Sequence, residues 1–185
     1  MVLRPRSADR RATIPPEWLM AVETSTLPVT CIVPIDQMAG DDEHDTGLLR
    51  TLAFDAETYI QSFSWCKAIR EFYFGNGYGG IVAIFLFRIE PTRPDVAEWL
   101  WVVVGDLPPA YLVIDECKTP SRALEAYIAE VSKWVELAKH GRSSKRFIHV
   151  NQAATPENAA ALKSTLNYLS EVLVPIFQST EASRP

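Results

Sequence analysis

A chain of 185 residues that is 48% apolar and 22% charged has the size and composition of one globular domain, and whole-chain disorder is excluded. Its formal charge of −5 gives no global attraction to nucleic acid or to anionic membranes. The longest apolar run, Ile81 to Phe87, stops at Arg88 and is strand-sized, far short of a membrane span.

Residues 1 to about 25 read as a flexible basic tail, with Arg4, Arg6, Arg10 and Arg11 but no apolar core of a secretory signal. A single α+β domain is expected over about 26–178, and a short C-terminal tail over about 179–185. "PVTCIVPIDQM" opens the domain. Val29, Cys31 and Val33 alternate with Thr30 and Ile32, and Pro34 confines such a strand to a sheet edge. "AGDDEHDTG" is polar and acidic between two glycines and reads as a surface loop.

From Asp55 the spacing predicts a helix over about 56–74, with Asp55 as N-cap. Tyr59, Phe63, Cys66 and Tyr73 fall on one face, widened by Ile60, Ile69 and Phe72. Gly75 then takes the left-handed position that ends a helix. Three strands follow at about 81–89, 97–104 and 111–115, rich in β-branched and aromatic residues without polar alternation, so both faces must be covered. Their short connections favour an antiparallel meander. Helices over about 120–140 and 156–174 share one start: Thr119–Pro120 and Thr155–Pro156 put a capping hydroxyl before a proline that needs no donor. Gly141 ends the first and Pro175 stops the second. "RFIHVN" between them adds a short strand. The sum is α+β: an antiparallel sheet of three to five strands packed by helices.

Chemistry is sparse. Gly75, Gly77 and Gly80 have the G-x-G-x-x-G spacing of a dinucleotide loop. That loop needs strand, glycines and then a helix, and the order here is helix, glycines, strand. The run serves instead as a helix stop, with a small anion nest as residual capacity. "DDEHD" around His44 lacks the ligand spacing and central glycine of a calcium loop and reads as a solvated charge run. Cys31, Cys66 and Cys117 are odd in number and far apart, which fits a reducing cytoplasm and neither disulfides nor zinc. Cys66 packs among Phe63 and Trp65 rather than serving as a nucleophile. No cofactor or metal is implied.

Two sets of residues remain. The aromatics and cations Trp65, Lys67, Arg70, Tyr73 and Tyr78 would anchor another protein if exposed. Asp106, in the "GDLPPA" connection, with Asp115 or Glu116, would form an acid–base pair if they converged. The stretch "YFGNGYGGIVAIFLFRIEPTRPDVAEWLWVVVGDLPPAYLVIDECKTPSRALEAY" resembles a family of small bacterial proteins with a tryptophan-rich strand, then G-D-L-P-P-A-Y-L, then a helix opening near T-P. The resemblance covers about residues 60–140. It implies a bacterial, intracellular, single-domain protein and carries no assigned activity. The expected function is a non-enzymatic protein-interaction module, immunity-like or regulatory, with another protein rather than nucleic acid or membrane as partner. The alternative is a small hydrolase or ligand-binding protein built on Asp106 and Asp115.

Overall fold

The structure, a computed structural model, describes residues 27, 29–115, 117–142, 148, 150 and 152–183. Among the described residues five antiparallel strands lie in chain order: β1 (Val33–Pro34), β2 (Cys66–Tyr78), β3 (Val82–Pro91), β4 (Trp99–Gly105) and β5 (Ala110–Val113). Helix α1 (Glu43–Gln61) covers one face. The other is covered by α2 (Pro120–Ala138) and by a long helix made of α3 (Pro156–Tyr168), a π turn (Leu169–Leu173) and α4 (Val174–Ala182). This is the expected α+β meander.

The doubly apolar strands divide by parity. Val82, Ile84, Leu86, Trp101 and Val103 face α2 to α4, while Ala83, Phe85, Phe87, Leu100, Val102 and Val104 face α1. Period-two alternation sends successive side chains to opposite sides, so an unbroken apolar run fills two cores at once. Trp101 Nε1 donates to the Cys117 carbonyl at 2.7 Å and Tyr127 Oη to the Pro108 carbonyl at 2.8 Å. Those bonds fix the crossing chain and α2 over the sheet.

Several sequence expectations are overturned. Residues 56–74 are not one helix: α1 ends at Gln61 and β2 begins at Cys66. The register of β2 against β3 shifts between Cys66 and Ala68, Ile69 and Glu71, and Phe74 and Asn76. Each bulge adds a residue, so Cys66, Ile69 and Phe72 face α1 at the three-residue spacing that mimics a helix. Consequently Gly75 lies inside a strand and stops nothing. "DDEHD" is no loop either: Asp42 caps α1, accepting from Asp45 N at 2.7 Å, and Glu43 to Asp45 form its first turn. Asp55 sits mid-helix.

The edge strand at Pro34 exists but spans two residues, because Cys31 has a φ of 62° and breaks the alternation early. Pro175 does not end the last helix. A proline cannot donate to the carbonyl four residues back; the chain widens into the π turn, Val174 N bonds Leu169 O, and the helix continues to Ala182, into the expected C-terminal tail. There the Glu181 carboxylate accepts from Ser121 N and Ser121 Oγ, both at 2.6 Å, at the start of α2. Both Thr–Pro caps form, Thr119 accepting from Arg122 N and Thr155 from Asn158 N. Most of "RFIHVN" and the basic N-terminal segment lie outside the described residues.

Candidate functional site

The five candidate interface residues are spread along β2 and the turn before it rather than gathered. Trp65 stacks on Phe63 at 4.7 Å and meets Tyr111 edge-on at 5.2 Å, half-buried beneath α1. Lys67 and Arg70 are exposed and both pair with Glu90 on β3. Tyr73 points to the opposite face. Its hydroxyl donates to Glu71 at 2.6 Å, and Glu71 also accepts from Arg88 at 2.8 Å. The bond to Glu71 pushes Tyr73 up to about 12, and the same bond, with Arg88, holds Glu71 below the usual carboxylate range. Tyr78 stands at the far end of β2, roughly 30 Å from Trp65, since the strand from Cys66 to Tyr78 matches only the stretch from Val82 to Pro91 of β3 at about 3.3 Å per residue.

Asp106 and Asp115 line different clefts. Asp106 lines one with Gln152 and Thr165, whereas Asp115 lines another with Tyr111 and Glu130; Glu116 lies outside the described residues. Burial pushes the Cys66 thiol up, the opposite of what a nucleophile needs.

A third cleft joins residues that sequence reasoning kept apart. It has a volume of about 450 Å³ and lies where the start of α1, the glycine-rich end of β2 and α4 meet. Asp41, Asp42 and Asp45 line one wall, with His44 beside them. Asp45 Oδ2 accepts from Asp41 N at 3.1 Å, so these residues fold over the helix terminus as a cap. Gly77 lines the cleft too: a Cβ there would stand 2.5 Å from Leu49 Cδ2, so any side chain at this position would have to displace the buried Leu49 of α1. Ile176 and Thr180 of α4 form the opposite wall.

Asn76 lines the same cleft. Its pairing with Ile84, whose side chain faces α2 to α4, directs Asn76 toward the α4 wall. It is 7% exposed. Its Oδ1 accepts from Gly77 N at 2.9 Å, which orients the amide, and Nδ2 has no acceptor among the described residues. A buried donor left so is uncommon and destabilising by about 1–3 kcal/mol.

Beside the cleft runs an apolar row. Tyr168, Val172 and Ile176 are 39–41% exposed on the last helix, and Tyr78, 41% exposed, shares the cleft with Ile176. Eight residues of regular helix would rotate Tyr168 and Ile176 about 80° apart. The extra residue of the π turn makes them stand like positions i and i+7, about 20° apart. The turn thus aligns the row.

Comparison with family models, curated proteins and solved structures gave no match. No helix among the described residues is long and apolar enough to cross a membrane, and no group of three or more His, Cys, Asp or Glu there is placed to hold a metal ion. The sequence offered one signal for the apolar row, the i, i+4, i+8 spacing of 168, 172 and 176, which the expected stop at Pro175 concealed. Nothing in it signalled the cleft, whose walls come from three distant segments.

Proposed function

We propose that this chain is a protein-interaction module, non-enzymatic and regulatory or immunity-like, that docks its partner on the face formed by the last helix and the β2–β3 tip. The observation that carries this reading is the aligned row Tyr168, Val172 and Ile176 with Tyr78 beside it. Large apolar side chains held on regular elements lose little freedom on binding. Covering the exposed two-fifths of each contributes about 1 kcal/mol, enough for a hot-spot cluster. Of the five residues favoured from sequence, Tyr78 is the one in this face. The bacterial and cytoplasmic setting belongs to the same reading and rests on sequence resemblance and cysteine usage.

The test is capture of a partner from the source cells by tagged wild type, by a Val172→Glu/Ile176→Glu double variant, and by Phe54→Glu. Phe54 is 68% exposed on α1 and serves as a control away from the face. Loss with the double variant and retention with the control supports the proposal. Equal recovery by all three, with circular dichroism unchanged, overturns it.

A further inference from the structure

We infer that the partner inserts a basic side chain, Arg or Lys, into the cleft between α1 and α4, so that the segment bound here is amphipathic and cationic. The inference rests on the docking reading above and specifies the partner's chemistry. Asp41, Asp42 and Asp45 form no ion pair among the described residues. Three carboxylates outweigh the roughly half positive charge at the start of a helix. The cleft is therefore net negative. A phosphate or carboxylate ligand is disfavoured there, although glycine backbone and a helix N-terminus otherwise suit anions.

Asn76 supplies the second, independent requirement. An amide donor fixed in orientation, buried and without an acceptor among the described residues calls for an oxygen from whatever enters. A peptide offers both groups together: a guanidinium or ammonium for the aspartates and a backbone carbonyl for Nδ2. Continuity supplies the geometry. Ile176 and Tyr78 border the cleft and belong to the apolar row. From Thr180 to Tyr168 the wall runs roughly 18 Å at 1.5 Å per residue, about three turns of a partner helix. The complementary segment carries its basic residue at one end of an apolar stripe.

The probe is a fluorescein-labelled 14-residue amphipathic peptide of leucine and lysine, with a leucine and glutamine version as its neutral counterpart, measured by fluorescence anisotropy against the full chain. Binding of the lysine peptide is expected to exceed that of the glutamine peptide about tenfold at 50 mM salt. Asp41→Asn/Asp45→Asn should remove most of that difference, and Asn76→Ala should weaken both peptides about threefold. Asp55→Asn/Glu57→Gln, the same charge change elsewhere on α1, should leave the difference intact. Equal binding of the two peptides, an unchanged preference in the Asp41/Asp45 variant, or no binding of either at 1 mM overturns the inference. If Ile176→Glu weakens both peptides while the lysine preference is absent, the inference falls and the docking face stands. If the preference tracks Asp41 and Asp45 but Ile176→Glu has no effect, the cleft stands and the apolar face falls.

Discussion

Glu181 closes the molecule, and removing it tests how the last helix is held. Its carboxylate accepts from Ser121 N and Ser121 Oγ, both at 2.6 Å. Ser121 is 2% exposed at the second helical position of α2. Pro120 needs no acceptor and Arg122 N is served by Thr119, so Glu181 answers the orphan donor left at that helix start. Glu181→Ala strands one buried N–H and one hydroxyl, at about 1–3 kcal/mol each, of which Thr119 Oγ1, 3.1 Å from Ser121 Oγ, recovers part. The expected loss is about 2–4 kcal/mol. For a chain of this size that is a fall in Tm of about 5–12 °C. Glu181→Gln keeps the shape, still accepts from Ser121 N, and loses only the charge facing the helix terminus, about 1 kcal/mol. Urea unfolding of both variants, with a double-mutant cycle against Ser121→Ala, measures this directly. A Glu181→Ala variant within 0.5 kcal/mol of wild type, or a cycle with no coupling, would refute the reasoning.

Trp101→Phe removes the donor that holds the Cys117 carbonyl and opens space in the core; a loss of about 2–4 kcal/mol is expected in urea, and one below 1 kcal/mol would mean that this bond does not fix the crossing chain. Glu71 has its folded-state pKa held below the ordinary 4.5 by Tyr73 and Arg88. Its contribution is therefore complete above about pH 4.5 and disappears as pH falls through the lower folded value. Glu71→Gln should thus be less stable than wild type at pH 7, with the gap closing on acidification; a gap independent of pH contradicts that account. Cys66, whose thiol is pushed up by burial, should react with a thiol reagent at pH 7.5 several-fold more slowly than free cysteine, and faster modification in the folded protein would overturn it.

What the sequence reveals here depends on whether a signal is local. The β3 and β4 runs are legible because unbroken apolar character needs cover on both faces, and α1 with α2 to α4 supplies it. The Thr–Pro starts are legible because capping involves neighbours in the chain. Strand β2 is not: three bulges turn its period of two into steps of three, and Cys66, Ile69 and Phe72 then pass for a continuation of the helical face begun by Tyr59 and Phe63. The acidic run at 41–45 misleads because the residues that solvate a loop are those that cap a helix. Pro175 misleads because a proline stops a helix unless the turn before it widens. The cleft was beyond reach altogether, since its lining comes together only where the start of α1, the end of β2 and α4 meet.

The chain-order arrangement of the strands also governs the order in which the protein is made. The meander and α1 are complete once Val113 has been synthesised, so the α1-facing core can close early. The opposite face, with Val82, Ile84, Leu86, Trp101 and Val103, waits for α2 and for Phe177 on α4. At 5–20 residues per second that is roughly 3–13 s of bare apolar sheet. During that interval the nascent chain is at its most vulnerable to aggregation, and it ends when Glu181 reaches Ser121.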